Sequence, residues 1–260
     1  MFRHQRNFLC FICIIVLQIL CIPSYMSASL DKGRTLFYNS AQQHFTAKKF
    51  DRYARRLYRR LGLQGLTNLN TFKTGLIGYL NLKRQGLIKR DGVLVLIDYS
   101  RPSDTERFFV LDIKRKKILY KSLVAHGKNS GDRFAWGFSN QPGSHKSCLG
   151  FFVTGKTYEG KHGYSLQIEG VEPGINDNAI KRRIVIHGAD YVSRQFIERY
   201  GRTGRSFGCP ALPKELAPSI IDTIKEGSCL FIFGQDRYYF ENSRIINAKG
   251  ALNYFEKAGI

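Results

Sequence analysis

Val93-Leu-Val-Leu-Ile-Asp98, Arg107-Phe-Phe-Val-Leu-Asp-Ile113 and Ile118-Leu-Tyr-Lys-Ser-Leu-Val-Ala125 follow one another closely, each a short run dominated by Val, Ile, Leu and aromatic residues. Such side chains suit a pleated, partly buried surface, and Gly, Asp and Lys clusters end the runs, so all three read as β-strands. The same texture returns at Gly150-Phe-Phe-Val-Thr154, Tyr164-Ser-Leu-Gln-Ile168, Arg183-Ile-Val-Ile-His187 and Cys229-Leu-Phe-Ile-Phe-Gly234. Residues 92–240 are therefore expected to form one mainly β domain. Lys114-Arg-Lys-Lys117 reads as an exposed hairpin turn, and 129–146, with Gly131, Gly137, Pro142 and Gly143, as a long loop. Short helices are expected over 194–200 and 216–226, and residues 241–260 are read as a C-terminal tail.

Upstream of the strands the period changes. Phe45, Phe50, Tyr53, Leu57 and Leu61 fall mostly three or four apart with Lys and Arg between them, as one face of an amphipathic helix requires. A second helix is expected over 70–85, so residues 30–91 read as a helical N-terminal segment. This segment either packs on the β domain or, given its basic polar face, lies on a membrane surface.

Residues 1–29 carry the pattern of an export signal: a basic start with Arg3 and Arg6, an apolar stretch from Phe8 to Ile22, and small residues up to Ala28 and Ser29. The apolar stretch is 15 residues, short of the roughly 20 that span a bilayer. Cleavage near Ala28 or Ser29 is expected, with an uncleaved anchor or an acylated Cys21 as alternatives. Export to the periplasm or cell envelope follows. Cleavage would remove Cys10, Cys13 and Cys21 and leave Cys148, Cys209 and Cys229, an odd number in which at least one thiol stays free. Cys148 and Cys229 either pair or sit as separate core residues, and Cys209 is left over in both cases.

The formal charge is +21, and about +19 without the signal. Such a surplus attracts polyanions. The cations are scattered through the chain and an exported protein rarely meets nucleic acid, so no nucleic acid is expected as partner, and an anionic envelope surface is the favoured one.

The densest chemistry lies in Arg183-Ile-Val-Ile-His-Gly-Ala-Asp190 and Gly201-Arg-Thr-Gly-Arg-Ser-Phe-Gly-Cys-Pro-Ala-Leu-Pro213. A strand ending in His187-Gly188 sets an imidazole at a sheet edge, and a Gly-rich loop returns Cys209 22 residues later. A free thiol has a reference pKa of ~8.5, so a nucleophilic Cys needs a nearby base or a positive field. His187 is the candidate base and Arg205 the candidate field. Gly204 and Gly208 let the backbone curl, so amides around Cys209 can face a developing oxyanion, where one such donor is worth on the order of 3 kcal/mol. His126 and His162 also precede Gly and either fill turns or line a substrate cleft. Asp98 and Asp112 read as strand-end caps. No close Cys or His set suggests a metal, and no cofactor motif is present.

The pattern His187-Gly188 and Ser206-Phe-Gly-Cys-Pro-Ala-Leu212 resembles the signature of the L,D-transpeptidase superfamily, in which a strand-end His-Gly precedes Ser-x-Gly-Cys. Further segments resemble its murein L,D-transpeptidase catalytic domain branch, among them Ile97-Asp-Tyr-Ser-Arg-Pro-Ser103, Leu123-Val-Ala-His-Gly-Lys-Asn-Ser-Gly131, Tyr158-Glu-Gly-Lys-His-Gly-Tyr-Ser-Leu166 and Val185-Ile-His-Gly-Ala-Asp-Tyr-Val192. The resemblance runs from about Gly92 to Gly234. It implies a β-sandwich or barrel catalytic domain behind the N-terminal helices, with peptidoglycan stem peptides as substrate. It also implies Cys209 as nucleophile, His187 as base, amides near Gly208 and Cys209 as oxyanion hole, Gly188 holding the imidazole close, and Ser206 supporting the loop. Many members carry Arg soon after the Cys, whereas Pro210-Ala211-Leu212 stands here. Arg205 is therefore the candidate partner for a substrate carboxylate, and His126 is a second candidate for substrate binding. Cross-linking, hydrolysis to tripeptides, and non-catalytic wall binding remain three distinct readings.

Overall fold

A computed structural model describes residues 42 and 44–259. The expected signal, its cleavage site and its three cysteines lie outside these residues. The chain divides into two units, Met1–Lys49 and Phe50–Ile260. Of the first, the described residues are helical and open helix α1, residues 44–60.

In the second unit α1 buries Phe50, Ala54 and Leu57, with Leu61 just beyond its end, at the three- and four-residue spacing that a helix turns to one side. Helix α2 (Leu69–Arg84) follows, opened by Asn68, whose side chain accepts from the N–H of Asn70. It lies against the sheet so closely that a Cβ on Gly78 would stand 2.0 Å from the Phe151 ring. The apolar faces expected for a lead-in thus serve as core. Among the described residues no helix is long and apolar enough to cross a membrane.

The sheet has eight strands: β1 (Val93–Asp98), β2 (Phe108–Asp112), β3 (Lys117–Ser122), β4 (Gly150–Gly160), β5 (Gly163–Gly170), β6 (Val185–Ala189), β7 (Ala211–Pro213) and β8 (Cys229–Phe233), in the order β3-β2-β1-β8-β4-β5-β6-β7. β1 pairs with β8, and β6 with β7, in parallel; the other neighbours are antiparallel. Apart from Asp98, β1 and β8 are apolar and buried on both faces, with α2 lying against them, as a central parallel pair requires. The chain after β3 turns back along the other edge: Ala125 N–H donates to Ala211 O at 2.9 Å, and Gly127 bridges Ser206. The sandwich or barrel expectation is realised as one mixed sheet in which the segment following β3 bridges back to β7 at the opposite edge.

Helices α3 (Arg194–Tyr200) and α4 (Ala217–Ile224) occupy the expected places. Of residues 241–260, read as a tail, the described ones up to 259 are largely helical. Helix α5 (Arg237–Asn242) runs into them, and α6 (Ala248–Lys257) buries Ala251 and Phe255, one helical turn apart. Phe255 meets Phe50 edge to face at 5.4 Å, and Asn81 of α2 donates to the carbonyls of Ile245 and Asn247. The α6 stripe is only two residues wide, too short to stand out before its partners are known.

Candidate active site

β6 ends in His187-Gly188-Ala189, and its parallel register with β7 pairs His187 with Ala211 and Gly188 with Leu212. Running that register back two residues sets Cys209 opposite Val185, and the Val185 N–H indeed donates to the Cys209 sulfur at 3.5 Å. Val185 and His187 lie on the same side of their strand, roughly 7 Å apart along it. Thiol and imidazole thus share one face at the closing edge of the sheet.

The turn carrying Cys209 is held on both sides. Ser206 N–H donates to His126 O at 2.9 Å and Lys128 N–H to Ser206 O at 2.8 Å. Inside the turn the buried Ser206 hydroxyl accepts from Gly208 N–H at 3.0 Å and donates to Cys209 O at 2.6 Å. Gly208 has φ +123°, and a Cβ there would lie 2.8 Å from Lys146 O, so the turn admits no side chain at that position. The Gly208 N–H, expected as an oxyanion donor, is thereby occupied. The N–H of Cys209 has no partner among the described residues.

His187 sits with Nδ1 2.9 Å from Gly188 O. A carbonyl only accepts, so Nδ1 carries the proton and Nε2 keeps its lone pair. On the opposite side of the strand a Cβ on Gly188 would approach Lys214 Cα to 3.0 Å and Ala217 Cβ to 3.2 Å, so glycine also lets α4 close on β6. Burial lowers the His187 pKa, with the Gly188 carbonyl opposing it. Burial raises the Cys209 thiol pKa, opposed by the Val185 N–H and by the charges of Arg182 and Lys161. The sulfur donates to Arg183 O at 3.6 Å and makes no hydrogen bond to His187. The resting pair is a neutral thiol beside a neutral imidazole. Cys148 and Cys229 are free and buried in the core.

Two expected binding residues are engaged elsewhere. Arg205 donates to Gly131 O at 3.0 Å and pairs with Asp132 at 3.2 Å, and Asp132 also holds Arg202. A substrate carboxylate at Arg205 would have to compete with a carboxylate already there. His126 has no exposed surface, which corrects its assignment to the substrate cleft. Its Nδ1 accepts from Arg107, itself fully buried, at 2.7 Å, and burial with the Arg107 charge pushes its pKa down to about 3.

Two residues near the site, Arg182 and Ser147, went unmarked in the sequence, and a third, His162, stood open between a turn and the cleft. Arg182 donates to Ser139 O, Ser144 Oγ, Lys146 O and the Cys148 sulfur, and so clamps the 139–148 segment behind Gly208. Ser147 accepts from Gly127 N–H at 3.0 Å and reaches Gly208 O at 3.4 Å. His162, at the β4–β5 hairpin tip, stacks on His187 with ring centroids 4.4 Å apart. Only the basic cluster Lys181-Arg182-Arg183 beside the strand, and the His-Gly at 162, offered any signal.

The model of the L,D-transpeptidase catalytic domain family matches residues 64–233. The chain belongs to this family. The matched L,D-transpeptidase catalytic region begins before α2. Solved structures similar to this L,D-transpeptidase family member include the L,D-transpeptidase from Mycobacterium smegmatis (15% identity, 55% of this chain and 59% of that one, TM-score 0.34). Another is the Enterococcus faecium L,D-transpeptidase (12% identity, 55% and 50%, TM-score 0.35). The helical cell shape determining protein Pgp2 of Campylobacter jejuni matches at 16% identity over 71% of this chain and 64% of that one, with TM-score 0.38. The matches thus span between half and two thirds of those chains. No curated relative matches the sequence.

Proposed function

We propose that this protein is an envelope acyltransferase that cross-links peptidoglycan stem peptides through a thioester on Cys209, with His187 as base. The observation that carries the reading is the β6–β7 register, which sets the Cys209 turn beside the strand that bears His187.

In the proposed reaction the Cys209 side chain swings from Arg183 O toward Nε2 of His187, which takes the thiol proton as the sulfur attacks the carbonyl preceding a terminal D-Ala. Loose contacts of this kind before substrate arrives are common in such pairs. The oxyanion forms within reach of the free Cys209 N–H, a fixed donor in a site partly closed to water. Collapse breaks the peptide bond; the departing D-Ala amine receives the proton from the His187 imidazolium, and a thioester remains. An acceptor side-chain amine then attacks the thioester, gives a proton to His187, and returns the sulfur as thiol. The same pair serves both half-reactions, and the Gly188 carbonyl keeps one tautomer available throughout.

An export signal over 1–29 and the attraction of the remaining chain's charge of about +19 to an anionic envelope surface agree with this substrate. The deciding experiment is incubation with tetrapeptide muropeptides, read by mass spectrometry beside Cys209→Ala. Cross-linked dimers are expected from the parent protein only. Tripeptides alone would make it an L,D-carboxypeptidase, and unchanged muropeptides with no acyl adduct on Cys209 would leave wall binding without catalysis.

A further inference from the structure

The β4–β5 hairpin reaches its tip at Gly160–Gly163, with Lys161-His162 as the two-residue loop, after an irregularity in register between Thr154 and Thr157. β5 pairs Ser165 with His187, so the tip overhangs the end of β6. There the His162 ring lies on the His187 ring at 4.4 Å between centroids and 21° between planes, while His162 itself stays exposed.

We propose that His162 is a positioning residue for the Cys209–His187 pair, holding the His187 ring in the plane from which Nε2 meets the thiol. This rests on the role of that pair given above. An imidazole swivels about a single bond to its ring. The hydrogen bond from Nδ1 to Gly188 O selects which nitrogen faces inward, yet one such bond lets the ring rock. A second ring stacked on its face stops that motion. The acceptor at Nδ1 is a peptide carbonyl and not a carboxylate, so the imidazolium formed on proton transfer gains no full counter-charge there. The face of a neutral aromatic neighbour stabilises a cation, whereas a protonated His162 would repel it. The other titratable groups around the stack are Lys161 on the same tip, Cys209 on the facing turn, Arg182 before β6 and Tyr191 after it. Asp222 of α4 is tied to Tyr164 and Lys225. Among the described residues no carboxylate acts on the charge of either ring, whose neighbours in this respect are Lys161 and each other.

The test is the rate of Cys209 alkylation by iodoacetamide from about pH 4 to 9, read at that residue by peptide mass spectrometry on the full chain. His162→Ala is expected to slow it about tenfold near neutrality, as loss of orientation does. His162→Phe, which keeps a stacking face without a titrating nitrogen, is expected to restore it to within about threefold. It should also reduce the broad acid limb of two coupled histidines to a single-proton titration. An alanine variant equal to the parent protein, or a phenylalanine variant no faster than alanine, would overturn the proposal. If His187→Ala also alkylates like the parent, the base assignment falls and this proposal with it. If His187→Ala is slow while both His162 variants match the parent, only the role of His162 falls. Thermal midpoints are expected to stay level, because the exposed tip adds little to the core.

Discussion

The Ser206 hydroxyl donates to the carbonyl of Cys209 at 2.6 Å while accepting from the N–H of Gly208, so one side chain closes the turn that presents the thiol. Ser206→Ala removes both bonds and leaves two backbone groups of a mostly buried turn unpaired, worth about 1–3 kcal/mol. We expect a lower urea midpoint and slower alkylation of Cys209, whereas Ser206→Thr keeps the hydroxyl and retains most of both. Equal midpoints for Ser206→Ala and the parent would contradict this account of the turn.

Arg182 links the 139–148 segment to the thiol in two ways, through its four hydrogen bonds and through its charge. Arg182→Met keeps much of the volume and removes both. The positive charge favours the thiolate, so its loss raises the thiol pKa and moves the alkylation profile toward higher pH. A shift toward lower pH, or none, would show that Arg182 acts on packing alone.

His126 makes the fold sensitive to acid. Its folded pKa is about 3, against roughly 6.5 when unfolded, because it is buried beside the Arg107 cation. Between those values the unfolded chain binds a proton that the folded chain refuses. The contribution is complete above pH 6.5 and declines as pH falls toward 3, by about 1.4 kcal/mol per pH unit. His187 shifts in the same direction and adds to the slope. His126→Gln, with an amide oxygen left to accept from Arg107, is expected to flatten the decline of urea stability between about pH 6 and 4 by one proton.

Arg205 is tied to Gly131 and to an exposed Asp132, an arrangement that orders the 131–132 bend and contributes at most about 1 kcal/mol. We expect Arg205→Ala to leave alkylation of Cys209 unchanged and to lower stability slightly. A muropeptide KM that rises with no change in alkylation would restore Arg205 as a carboxylate partner; an unchanged KM would end that role.

The strands were legible wherever burial left a written pattern. Val93–Ile97 and Cys229–Phe233 are apolar throughout because both faces are covered, and His187-Gly188 stands at a strand end because β6 stops there. β7 was not legible: three residues following Pro210 and ending in Pro213 show no alternation, and only pairing with β6 makes them a strand. Helix α6 was missed for a related reason, its burial depending on α1 and α2, far away in the chain.

By itself the order of residues determined the β texture, the helical lead-in, and the pairing of a strand-end His with a Cys in a glycine turn, because these depend on local periodicity and on which residues a tight backbone admits. Tertiary structure alone decided how the other polar residues are used. His126 became a buried prop and Arg205 an internal ion pair, while Arg182 and His162 came to the site, since hydrogen-bond partners and burial arise from segments brought together only when the sheet closes on itself.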